Sequence, residues 1–90
     1  MVPCLYKKTF LKDLAKIPPP TRDTIEELAF TDLPASTDLY TDFDFKKMKG
    51  YSDFYRIRVG RYRIGCRLTA TGTLILYRVK SREEIYSIFP

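Results

Sequence analysis

A chain of 90 residues, 44% hydrophobic and 14% aromatic, is sized for one folded domain with a modest core and is too apolar for a disordered tail. No apolar run approaches the ~18 residues of a membrane span, and the start lacks the apolar core of a secretory signal, so the chain reads as soluble and cytoplasmic. With no histidine and only Cys4 and Cys66, the composition argues against a zinc site and against His-based nucleophilic triads.

In a cytoplasmic protein the two thiols read as buried small hydrophobes instead of a disulfide. The net charge of +5 hides an asymmetry. Residues 1–45 carry five basic and eight acidic side chains, and residues 46–90 carry eleven and three, giving −3 and +8. A positive field gathered in half of a small domain favours nucleic acid or an acidic protein as partner.

In chain order, residues 2–7 read as a short first strand, with Pro3 placing it at an edge. Over 9–17 the period changes: Phe10, Leu11, Leu14 and Ala15 recur at helical spacing, with Lys12, Asp13 and Lys16 on the outer side. Pro18, Pro19 and Pro20 end that helix, because each lacks an N–H donor and restrains the residue before it. A second helix starts near Thr21, with Asp23, Glu26 and Glu27 toward the positive end of its dipole and Ile25, Leu28 and Ala29 as its buried stripe. Residues 31–44 are polar and acidic and read as a helix end followed by a loop.

From Lys46 the pattern turns to β. Residues 54–59 alternate so that Arg56 and Arg58 share one face while Tyr55, Ile57 and Val59 fill the other. Gly60 marks a tight turn into 62–68, where Tyr62, Ile64, Cys66 and Leu68 alternate with Arg63, Gly65 and Arg67. After Thr71-Gly72, residues 73–80 form a last strand with Ile75, Tyr77 and Val79 toward the core and Arg78 and Lys80 opposite. Continuing that parity brings in Arg82. Residues 83–90 read as a final helical turn. The expected architecture is α+β: a helical hairpin on one face of an antiparallel β-α-α-β-β-β sheet, a single domain over 1–90, with the arginines on the other face.

Four stretches taken together carry a family resemblance: Lys46-Lys47-Met48-Lys49-Gly50, the basic strand 54–59, Tyr62-Arg63-Ile64, and Val79-Lys80-Ser81-Arg82-Glu83-Glu84-Ile85-Tyr86. In order and spacing the chain resembles the RelE/ParE superfamily of type II toxin–antitoxin toxins, closest to the RelE-like messenger RNA endonucleases. The resemblance implies ribosome-dependent cleavage in which the RNA's own 2′-hydroxyl attacks the scissile phosphate, with no cofactor and no metal. It implies Arg56, Arg58, Arg63, Arg82 and Tyr86 as catalytic residues. Lys46, Lys47, Lys49, Arg78 and Lys80 are expected to contact RNA.

Preorganised guanidiniums suit this chemistry, since a pentavalent phosphate gains negative charge in the transition state. Some relatives carry lysines where this chain has Arg56 and Arg58, and an arginine stays protonated, which leaves the general base open. The candidates are Tyr86, Lys80, and catalysis by charge and orientation alone. Members that use a histidine with a carboxylate are excluded by the lack of histidine. The implied partner is a cognate antitoxin laying an acidic or amphipathic segment over Arg58, Arg63, Leu74 and Leu76, in a hetero-oligomer. The alternatives are a ParE-like inhibitor of DNA gyrase and a non-cleaving nucleic-acid-binding member of the same fold.

Overall fold

The computed structural model describes residues 1–90. Strand β1 (Cys4–Tyr6) leads into helices α1 (Lys8–Ala15) and α2 (Thr21–Glu27), which are separated by the three prolines. A π-helical segment, Leu28–Asp32, runs on into the short α3 (Leu33–Ala35), followed by α4 (Leu39–Asp42). Then come β2 (Phe45–Lys47), β3 (Phe54–Val59), β4 (Tyr62–Leu68), β5 (Leu74–Ser81) and the C-terminal helix α5 (Arg82–Ile88).

The strands form one sheet in the order β1-β5-β4-β3-β2. Strands β3 to β5 make the expected antiparallel meander, and β2, a strand not expected from the pattern, extends it beyond β3. β1 instead lies parallel to β5, Cys4 opposite Leu74 and Tyr6 opposite Leu76, which makes the sheet mixed. That pairing joins segments far apart in the chain, with no turn between them to announce it. Residues 31–44 hold more helix than the loop expected there. Asp38 caps α4, its carboxylate accepting from Tyr40 N–H at 3.0 Å and the Thr41 hydroxyl at 2.7 Å.

Helices α1 and α2 cover one face of the sheet. Phe10, Leu14, Ile17, Ile25, Ala29 and Leu33 pack there against Ile57, Ile64, Cys66, Leu74, Leu76 and Val79. Cys66 is fully buried and Cys4 half-buried, both as free thiols; burial pushes the Cys66 thiol well above its usual pKa.

Three placements differ from the pattern-based expectation. Asp13, expected on the outer side of α1, is 6% exposed, because α1 crosses the edge of β5 just where β1 has ended. There its carboxylate accepts from the Val79 N–H at 3.2 Å, a ladder donor that has no strand to pair with.

The second difference lies in β5. Gly65 pairs with Arg78, but Cys66 pairs with Leu76, so Tyr77 is the extra residue of a β-bulge. The bulge reverses the face parity. Leu74 and Leu76, expected on the arginine side as antitoxin contacts, are instead wholly buried in the core, and Tyr77 joins the opposite face.

The third concerns that opposite face, which is not an open platform. Helix α5 lies across it, burying Ile85 and Phe89 with Met48 against Phe54 and Tyr77. Gly65 makes room for the crossing. A Cβ there would stand 2.5–2.8 Å from three ring carbons of Phe89.

Candidate nucleic-acid interface

Because α5 occupies the middle of the sheet face, the basic side chains are divided by their distance from it. Beside the helix lies a groove of about 360 Å³ lined by Lys46, Lys47, Met48, Lys49, Arg56 and Tyr86. Lys46 and Arg56 are cross-strand partners on β2 and β3, so the pleat aims them to the same side. Lys49 and Gly50 form the turn that leaves β2, Gly50 with φ of 88°, closed by the Tyr51 N–H donating to the Met48 carbonyl at 3.2 Å. Tyr86 follows the buried Ile85 on α5 and is 55% exposed at the groove wall.

Arg82 opens α5 and stands four residues before Tyr86, on the same side of the helix. Its backbone N–H donates to the Arg61 carbonyl at 3.0 Å, which ties the helix start to the β3–β4 turn. Its guanidinium lies 3.3 Å from Glu83 Oε1, an exposed pair of little strength. Arg58 is exposed, and its guanidinium has no carboxylate partner.

Arg56 is held by Asp44, the residue before β2. Nη1 donates to Asp44 Oδ1 at 2.8 Å and to the Asp44 carbonyl at 3.1 Å. The Arg56 hydrogen bond, reinforced by the charges of Arg56, Arg58 and Lys46, keeps the Asp44 carboxyl below its usual pKa.

The other cations expected at the site are committed elsewhere. Arg63 lies directly between Arg58 and Lys80 in the strand register, as the alternation requires. Yet it is 8% exposed, and its Nη1 donates to the Gly60 carbonyl at 2.9 Å and the Tyr62 carbonyl at 3.0 Å. It thus braces the β3–β4 turn, where Gly60 adopts φ of 61° at the first loop position.

Arg78 and Lys80 turn to Asp13. The Arg78 Nε and Nη2 donate to its carboxylate at 2.7 and 3.2 Å, and Lys80 Nζ lies 3.6 Å away. Burial works against the Asp13 carboxylate. The hydrogen bonds from Arg78 and the Val79 N–H, with the charges of Arg78 and Lys80, outweigh it and lower the pKa.

Of the ten residues the sequence marked, Lys46, Lys47, Lys49, Arg56 and Tyr86 line one groove. Arg58 and Arg82 are exposed outside its lining, while Arg63, Arg78 and Lys80 serve contacts inside the fold. Asp44, which sequence reasoning did not single out, touches the site through Arg56. Its only signal in the chain is an acidic residue just before a basic strand. A cleft of about 380 Å³ beside β1 is lined by Met1, Val2, Pro3, Cys4, Tyr6 and Pro34 and offers no cationic side chain to an anion.

The ParE toxin family of type II toxin–antitoxin systems (parDE) matches residues 5–86 of the chain. Toxin RelE3 of Methanocaldococcus jannaschii is 44% identical over 87 residues, which span 96% of this chain and 97% of that protein. The toxin in the RelB–RelE antitoxin–toxin complex from Methanococcus jannaschii superposes with a TM-score of 0.77 at 40% identity, covering 96% of this chain and 99% of that one. The toxin–antitoxin complex RelBE2 from Mycobacterium tuberculosis gives 0.70 at 27% identity, covering 93% and 97%. A match over nearly the whole chain, in sequence and in fold, identifies the protein: it belongs to the RelE/ParE superfamily and is a toxin of a type II toxin–antitoxin system.

Proposed function

We propose that this toxin is a ribosome-dependent endoribonuclease that cuts messenger RNA in the cytoplasm and is restrained by a cognate antitoxin. The observation that carries the reading is the groove that Lys46, Lys47, Lys49 and Arg56 line together with the exposed Tyr86. Cations fixed on a sheet suit a phosphodiester, and an exposed aromatic beside them suits an unstacked base. The RelB–RelE complexes supply the analogy for the antitoxin, and the exposed Arg58 gives an acidic segment a place to bind.

In the proposed reaction the 2′-hydroxyl gives up its proton to a base, and its oxygen bonds to phosphorus. The bond from phosphorus to the 5′-oxygen breaks, and that oxygen takes up a proton on leaving. The products are a 2′,3′-cyclic phosphate and a 5′-hydroxyl. Arg56 and Arg82 are assigned to the charge that builds on the phosphate, with Arg58 contacting the neighbouring strand. Tyr86 is assigned to stacking and to orienting the attacking hydroxyl. Lys80, bound to Asp13, is dropped as a candidate base. Arg63 is assigned to shaping the turn that positions Arg82.

The test is primer extension on a defined messenger in a translating extract. Wild-type protein is expected to cut at positions in frame with the codons. Arg82→Ala and Tyr86→Ala are each expected to slow cutting about a hundredfold, the roughly 3 kcal/mol carried by one oriented transition-state contact. An intact messenger with wild-type protein would overturn the reading. The second reading, a protein-directed poison of DNA gyrase, is favoured by the ParE family match and by the internal use of Arg63, Arg78 and Lys80. It predicts uncut messenger together with inhibited supercoiling.

A further inference from the structure

Asp44 contributes both its carboxylate and its backbone to the basic groove. Its carbonyl accepts from the Arg58 N–H at 3.0 Å and from Arg56 Nη1 at 3.1 Å, and Oδ1 accepts from the same Nη1 at 2.8 Å. Nη1 is thus committed to Asp44 at two acceptor atoms. A guanidinium has five N–H groups in a fixed plane, and the three on Nε and Nη2 meet no acceptor in this protein. The Nε–Nη2 edge carries two parallel N–H bonds, the spacing that grips two oxygens of one phosphate.

We infer that Asp44 is a positioning residue, which clamps Arg56 by Nη1 so that its Nε–Nη2 edge is presented to the phosphate in the groove. The inference rests on the endonuclease reading and extends it to a residue outside the basic set. A free arginine loses side-chain rotamer freedom when it takes hold of a ligand. Asp44 removes part of that cost in advance, as preorganised sites do. The same carboxylate repels RNA, but at 48% side-chain exposure its charge is screened by solvent. Two opposing effects thus fall on different kinetic constants: orientation raises kcat, and repulsion raises KM.

The experiment measures cleavage by the full-length toxin on ribosomes programmed with one short messenger, as kcat and KM separately. Thermal melts confirm that each variant is folded. Asp44→Ala is expected to lower kcat about tenfold while KM stays level or falls. Asp44→Asn, which keeps an acceptor oxygen without the charge, is expected to restore kcat to within about threefold while KM stays low. In an Arg56→Ala background, Asp44→Ala is expected to cost nothing further, as for two residues acting as one unit. Wild-type kcat in Asp44→Ala, or the same tenfold loss without Arg56, would overturn the assignment and leave the nuclease intact. Wild-type protein that cuts nothing overturns the endonuclease reading itself, and with it any kinetic role for the pair.

Discussion

Asp13 and Asp44 each hold an arginine of the sheet, but their surroundings give the two contacts different uses. Asp13 is buried, meets the Val79 N–H as well as Arg78, and fastens α1 to the edge of β5. Replacing it with Asn leaves Arg78 without a charged partner and should cost about 2 kcal/mol, within the range for hydrogen bonds to charged groups. Urea unfolding at neutral pH checks the figure. The pH dependence has a definite sign. A carboxyl whose pKa is depressed by folding contributes stability that is complete above its unfolded value of about 4 and is lost as pH falls through the folded one. Asp13→Asn should therefore lose less stability than wild type on acidification below about pH 4. Equal acid sensitivity would show that the Asp13 contact adds nothing.

At the scale of elements, the packing of Phe89 on Gly65 holds the end of α5 against β4. Phe89 is the residue that follows α5, and Tyr86 is carried on that short helix. Gly65→Ala puts a methyl group into the Phe89 ring, and a buried ring flanked by Phe54 and Tyr77 has little room to give way. The substitution should cost about 1–3 kcal/mol, as overpacking does, and should lift the end of α5. Phe89→Ala in the same chain removes the clash. If the double variant is no more stable than the sum of the two single losses allows, the clash is not the cause. Differential scanning calorimetry of the four proteins makes the comparison. A looser α5 should also reduce the protection of the Ile85 and Phe89 amides in hydrogen exchange.

Across the whole molecule, the charge asymmetry has a narrower outlet than the count of basic residues suggests. Three of the basic residues in the second half are used inside the fold, and the lysines of the β2 strand and turn remain exposed at the groove. Each phosphate contact on single-stranded RNA contributes about 0.7 to the slope of log affinity against log salt. Replacing Lys46, Lys47 and Lys49 together with alanine should lower that slope by about 2 for a single-stranded oligonucleotide. Filter binding at several salt concentrations measures it, and an unchanged slope would place the RNA elsewhere.

The alternation of 54–59 and 62–68 was enough to define β3 and β4 and to place Arg56, Arg58 and Arg63 on one face, because side-chain direction in a strand is a local property of the backbone. The helical spacing and the three prolines likewise defined α1 and α2. Local patterns do not encode which groups meet once the chain has closed. The parallel docking of β1 and the bulge at Tyr77 come from contacts between distant segments, and the bulge alone reversed the faces of Leu74 and Leu76. The partners of the arginines were decided in the same way. Arg63 went to turn carbonyls, Arg78 to a helix carboxylate and Arg56 to Asp44, because a guanidinium pairs with whichever acceptors tertiary packing brings within reach. The sequence by itself determined the fold class and the basic face; only the tertiary structure decided which cations on that face stay free for a ligand.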